Sequence, residues 1–173
     1  MITIEINDQG VLEALRRLQA RVGYLKPVLR GIGEVLIKST KRRFATGTAP
    51  DGTPWAPNSP VTYDRLATWH LTKKGKLSKA GAARLAGKKP LIGETRRLSS
   101  QINAVLQGDA LLVGSPMEYA ATQQFGAEQG EFGTTRRGGP IPWGDIPARP
   151  FLGLSEADKR HILEIVAEAL GGA

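Results

Sequence analysis

Cysteine is missing from all 173 residues, so neither a disulfide nor a thiolate-held metal can brace the chain, and packing must do so alone. Histidine is nearly as scarce. His70 and His161 stand far apart, and no His-x-x-x-His or His-Glu-x-x-His arrangement exists. Both are read as solvated or packing side chains. No apolar run approaches the roughly 20 residues of a membrane-spanning helix. Residues 1–9 alternate isoleucine with polar residues and show no basic start or continuous apolar run of a signal peptide. The expectation is a protein that is cytoplasmic where it is made, with no membrane association.

Catalytic constellations are thin as well. Residues 81–89 look faintly like a phosphate loop, but Gly87 follows Gly81 by six positions instead of five, and Lys88 is followed by Lys89 where a magnesium-binding Ser or Thr is needed. Gly114-Ser115-Pro116 lacks the leading Gly-x of a nucleophile elbow and sets proline where a helix must begin. The acidic residues are scattered, with no close pair on one face of the kind glycoside hydrolysis requires. No enzyme activity, cofactor or metal is expected.

What is present fits a folded domain. Hydrophobic residues make up 40% and charged residues 23%, near globular averages, and the length suits one domain over residues 1–173. The 21 glycines and 11 prolines predict long irregular loops. Ile2, Ile4 and Ile6 alternate with polar residues as in a strand. Asn7 or Asp8 can then cap a helix carrying Val11, Leu12, Leu15 and Leu18, which Gly23 breaks. A longer helix follows Pro27, with Val28, Ile32, Val35, Leu36 and Phe44 on one face. Lys38, Lys41, Arg42 and Arg43 lie near its end, where cations favour the helix dipole.

From 46 to 90 periodicity disappears and the turn signals Pro50-Asp51-Gly52 and Pro57-Asn58-Ser59-Pro60 take over, so an extended loop is expected, partly disordered over 73–89. A helical turn at 94–98 precedes a hairpin of 101–107 and 110–114 about Gly108-Asp109. Residues 119–125 read as a helix ended by Gly126, and 127–147 as a second, Gly/Pro-rich loop. Ser155-x-x-Asp158 opens a last helix whose apolar side is Ile162, Ile165, Val166, Ala169 and Leu170, stopped at Gly171-Gly172. The mixed order of strands and helices predicts an α+β fold, a mostly antiparallel sheet packed with helices.

The net charge of +8 is local. Residues 65–89 hold eight lysines and arginines and no acid, while the remainder is balanced. Lys73, Lys74, Lys76 and Lys79 near its centre can neutralise phosphates of a nucleic acid, with Tyr63 and Trp69 close by to stack on bases. The other reading, a solvated loop or one docked on an acidic protein surface, is favoured because the aromatics are not interleaved with the charges. Trp55, beyond the Pro-Asp-Gly turn, can anchor the loop to the body as a core residue or serve an interface. Tyr119, Phe125 and Phe151 read as core. Arg149 sits in a stiff extended segment between Ala148 and Pro150, able to form an ion pair inside the subunit or across a subunit boundary.

Three stretches together resemble the phage virion morphogenesis family typified by phage Mu. They are Arg43-Phe44 through Pro50-Asp51-Gly52-Thr53-Pro54-Trp55-Ala56-Pro57; Val113-Gly114-Ser115 with Glu118-Tyr119-Ala120 and Gln123-Gln124-Phe125-Gly126; and the most specific, Ile146-Pro147-Ala148-Arg149-Pro150-Phe151-Leu152-Gly153-Leu154. Gln123 stands where the family often has histidine. The resemblance implies a structural subunit that completes the tail or joins it to the head. It would act as a ring of identical copies, six being the expected number, located at the head–tail junction of the virion. Implied partners are the chain itself, the head connector or stopper, the tail terminator or tail tube, and packaged DNA through the basic loop. Interface candidates are Trp55, Lys73, Lys74, Lys76, Lys79, Arg149 and Phe151. The alternatives are a tail terminator capping the tube and a nucleic-acid-binding protein using the basic loop.

Overall fold

The computed structural model describes residues 8–22 and 25–171, so the strand expected over 2–6 and the helix stop expected at Gly23 lie outside the described residues. Helix α1 (Gln9–Val22) starts where Asp8 accepts a hydrogen bond from the Val11 N–H at 3.2 Å. Val11 and Leu18 are buried and Leu15 half-buried, the spacing that lays one face of the helix on the body. Helix α2 (Lys26–Thr46) has Pro27 in its first turn, where a missing N–H costs nothing, and ends as the Gly47 N–H bonds the Arg43 carbonyl at 2.7 Å.

The helical hairpin region after α2 differs from expectation. The segment 46–90 is not a structureless loop. It holds α3 (Pro60–Trp69) and α4 (Lys79–Ala86), packed on one another. After a short α5 (Arg97–Ser100) come β1 (Asn103–Gln107) and β2 (Ala110–Gly114), antiparallel with Gln107 opposite Ala110 across the expected Gly108-Asp109 turn. Helix α6 (Ala120–Phe125) ends at Gly126, and α7 (Glu156–Gly171) closes the chain.

The Ser155/Asp158 capping box forms as the spacing requires. The Asp158 N–H donates to Ser155 Oγ at 3.2 Å, and the Ser155 N–H donates back to Asp158 Oδ2 at 2.9 Å. The result is α+β, with a two-stranded antiparallel sheet among the described residues.

Helix α2 is the central element. Helix α7 packs on it and on α1, and both strands of the β1–β2 hairpin pack against it. Two apolar clusters follow. One joins Val11, Leu18, Leu29, Ile32, Ile162 and Val166 from the three long helices. The other gathers Phe44, Trp55, Leu98, Ile102, Phe151 and Leu152 from segments scattered along the chain. This second cluster is what fixes the roots of the two excursions, 56–90 and 127–148.

Candidate functional site

Trp55, Arg149 and Phe151, read from the sequence as interface candidates, lie inside the subunit. Trp55 is 6% exposed and Phe151 fully buried. Their rings flank Phe44, with centroids 5.4 and 5.3 Å away, and Trp55 Nε1 donates to the Pro150 carbonyl at 2.7 Å. A tryptophan that buries its ring while spending its one donor on main chain is an anchor for the 47–55 turn.

Arg149 does not make the ion pair expected inside the subunit. Among the described residues no carboxylate reaches it; Nε donates to the Ala56 carbonyl at 2.8 Å and Nη2 to the Pro57 carbonyl at 2.7 Å. Its own N–H bonds the Gln123 carbonyl at 2.8 Å. Burial lowers its pKa with no counter-charge to oppose the shift. Arg149 therefore ties the root of the first excursion, 56–57, to the root of the second.

Arg43 and Asp158 form a second buried tie. Arg43 was expected to complement the end of its helix; instead it is buried, ion-paired through Nη2 with Asp158 on α7, while Nη1 donates to the Phe151 and Gly153 carbonyls, each at 2.9 Å. Burial pushes the Asp158 carboxyl up, but hydrogen bonds involving Ser39 and Ser155 and the Arg43 charge outweigh it and hold its pKa below the ordinary 3.8.

Gln124 is a third tie, and sequence reasoning missed it. Its Oε1 accepts from the N–H groups of Phe151 and Leu152, both at 3.0 Å, and its Nε2 donates to the Leu152 carbonyl at 3.1 Å. A short buried peptide segment outside any sheet thus finds its partners in one amide side chain. Tyr119 and Phe125, expected in the core, are exposed at either end of α6, because Ala120 and Gln124 supply the buried face of that short helix.

Two arms extend from this braced body. In the helical arm, α3 and α4 are joined by a tight reversal in which Leu71 pairs with Leu77 and the Thr72 N–H bonds the Lys76 carbonyl at 2.8 Å. Ser78 caps α4, accepting from the Gly81 N–H at 3.1 Å. Gly81 is required there, since any Cβ would collide with His70. Lys73, Lys74 and Lys76 lie on the reversal and Lys79 opens α4, so four interface candidates gather at the arm's tip, all exposed. Trp69, 67% exposed, carries the Arg65 guanidinium 5.4 Å above its ring. Lys88 and Lys89 return the chain to the body by donating to the Ile92 and Ala45 carbonyls.

The second arm, 127–146, is a ladder of single bridges, Ala127 with Ile146 and Thr134 with Pro140. Between them the Phe132 N–H bonds the Ile141 carbonyl at 2.8 Å. Gly126 sets its angle. At φ +83° and with the Ile146 carbonyl 2.7 Å from where a Cβ would stand, only glycine fits. Gly126→Ala is expected to cost about 1–3 kcal/mol, the range for a side chain forced into a disfavoured backbone conformation. Thermal unfolding measures it, and an unchanged midpoint would mean that the arm's root shifts freely.

No set of three or more His, Asp or Glu side chains among the described residues converges as a metal site would require. A groove between α1, α2 and β2 is lined chiefly by aliphatic side chains such as Leu15, Leu36 and Leu111. No helix among the described residues is long and apolar enough to cross a membrane.

The comparisons agree with the motif-level resemblance. Residues 6–171 match the phage virion morphogenesis family. The chain is also similar to the Mu-like prophage FluMu G protein 2 of Haemophilus influenzae, 29% identical over 169 residues, spanning 97% of this chain and 95% of that protein. No solved structure matches it. A match from residue 6 to residue 171, taking in the buried ties at Arg43, Gln124, Arg149 and Asp158 and both arms, makes this chain a member of the phage virion morphogenesis family, with a part in building the phage particle.

Proposed function

We propose that the chain is a non-enzymatic structural subunit that completes the tail of a phage particle or joins it to the head connector, acting as a ring of identical copies, six in the simplest case. The family match along nearly the whole chain carries this reading. A body held by three buried polar ties and projecting two exposed arms supports it. Such a body keeps its shape under load, while the arms reach over neighbours, as a head-to-tail ring requires. The working partners are then the chain itself, the connector or stopper on one side and the tail tube or terminator on the other.

The helical arm favours one added reading, in which Lys73, Lys74, Lys76 and Lys79 face packaged DNA with Trp69 and Arg65 beside them. Salt-dependent retention on duplex DNA that disappears when these lysines are replaced is its expected signature.

The test is a phage lacking this protein. Heads and tails that fail to join stably, restored by supplying the chain, are the expected result; tails of uncontrolled length would instead mark a terminator. Normal, stably joined particles would remove the reading. Cryo-electron microscopy of the head–tail junction should then find the chain as a ring between connector and tube.

A further inference from the structure

The two arms differ in charge in a way that neither shows alone. Glu118, Glu128, Glu131 and Asp145 flank α6 and the base of the 127–146 arm, whose two cations, Arg136 and Arg137, stand at its tip beyond the Thr134–Pro140 bridge, whereas residues 65–89 contain eight cations and no acid. Both surfaces also leave large apolar side chains in solvent. On the helical arm these are Trp69, Leu71 and Leu77. On the other surface Phe125 is 63%, Phe132 54% and Trp143 81% exposed. The backbones of Glu128 to Phe132 and Ile141 to Asp145 are held together there, since the Gln129 side chain donates to the Trp143 carbonyl at 3.0 Å and its N–H to Asp145 Oδ1 at 2.9 Å. Isolated exposed apolar residues are ordinary; several together, rimmed by polar and charged residues, mark a contact surface.

Within one subunit these surfaces leave each other unsatisfied. The helical arm's cations make one ion pair among the described residues, Arg84 with Glu94 at 3.6 Å, both well exposed. Each chain thus presents a basic, apolar projection and an acidic, aromatic seat. Like surface on like would set cation against cation, whereas arm on seat sets each surface against its complement, and that contact repeated head to tail closes a ring.

We propose that the tip of the helical arm, residues 69–79, docks on the acidic aromatic surface at the end of α6 and the base of the 127–146 arm of a second copy of this chain. A nucleic acid would use the lysines but leave Leu71, Leu77 and the whole seat without a partner; a second copy uses both. The contact deepens the ring reading above and takes its biological setting from it.

Sedimentation velocity of the full chain at low and high salt tests it, with two charge-reversed variants. One carries Lys73→Glu, Lys74→Glu, Lys76→Glu and Lys79→Glu; the other carries Glu118→Lys and Glu128→Lys. All six side chains are exposed, and none takes part in an ion pair or side-chain hydrogen bond among the described residues, so the fold should survive, as circular dichroism will verify. Self-association that weakens with salt is expected, falling about tenfold or more in each variant alone and recovering when the two are mixed in equal amounts.

The absence of native cysteine adds a direct readout. A chain with Lys74→Cys and Glu128→Cys should give a ladder of multimers with a short bismaleimide linker. A chain that stays monomeric, association unmoved by either reversal, or a mixture that fails to recover would overturn the proposal. So would loss of duplex-DNA retention in the lysine variant with association unchanged, which would assign the arm to nucleic acid. Particles that assemble normally without the protein would remove the proposed function and leave this contact standing. Defective particles combined with reversal-insensitive association would do the opposite.

Discussion

Arg43→Met is expected to cost about 3–5 kcal/mol of folding stability, since removing one partner of a buried pair strands the other as an uncompensated charge. The stranded group is Asp158, which is 2% exposed and was held by the Arg43 guanidinium. The same change frees the carbonyls of Phe151 and Gly153. Against the 5–15 kcal/mol typical of a domain this is a large fraction.

Adding Asp158→Asn to Arg43→Met should recover part of the loss, because an amide is neutral and can still bond Ser155. Denaturant unfolding measures both variants. A loss below about 1 kcal/mol for the single variant, the level of an exposed pair, would mean that water reaches Asp158.

The sign of the pH effect follows from the same group. The Asp158 carboxyl is held below its ordinary 3.8 in the folded chain, so its contribution is fully present above that value. It is lost as pH falls through the lower, folded-state value. The wild-type chain should therefore lose stability on acidification below about pH 4, and the Asp158→Asn variant should lose less over that interval.

Gln124→Leu is the second change with a large expected effect, about 3 kcal/mol or more, because three buried main-chain groups lose their partner at about 1 kcal/mol or more each. Leucine has nearly the same bulk, so the loss reports hydrogen bonding and not a cavity. Hydrogen exchange localises it: the amides of Phe151 and Leu152 should exchange far faster while those of α1 and α7 stay protected. Uniform exchange across the chain would show that the 151–152 segment and the three-helix core open together, and that Gln124 has no local role.

These polar ties also mark where the amino-acid sequence stops being readable. The α1, α2 and α7 helices and the β1–β2 hairpin were legible because each repeats its apolar residues at its own period and ends on a local signal, such as Ser155 with Asp158 or the Gly108-Asp109 turn. Helices α3 and α4 were not, since each buries a single position, Leu66 and Gly81 respectively, and so shows no stripe. Their local signals were present in Ser59-Pro60, with proline in the first turn, and in Ser78, but weak beside the glycines and lysines around them.

Arg43 was misread for a different reason. A cation in the last turn of a helix satisfies a local rule, and nothing local reveals a partner 115 residues away. Trp55 and Arg149 were flagged as special on sound grounds, and the structure gives them inward roles. What marked Trp55 was a large ring beyond a tight turn, and what marked Arg149 was a stiff segment; each serves the root of an arm as well as it would serve a contact. Tyr119 and Phe125 show the converse, since residue type suggests burial while the two-turn helix that carries them has room inside only for Ala120 and Gln124.

Arg149 holds Ala56 and Pro57 by their main-chain oxygens. The clasp grips the polypeptide and reads no side chain there. Positions 56 and 57 can therefore change residue and stay held so long as the backbone keeps its path, while loss of the one guanidinium at 149 releases both at once.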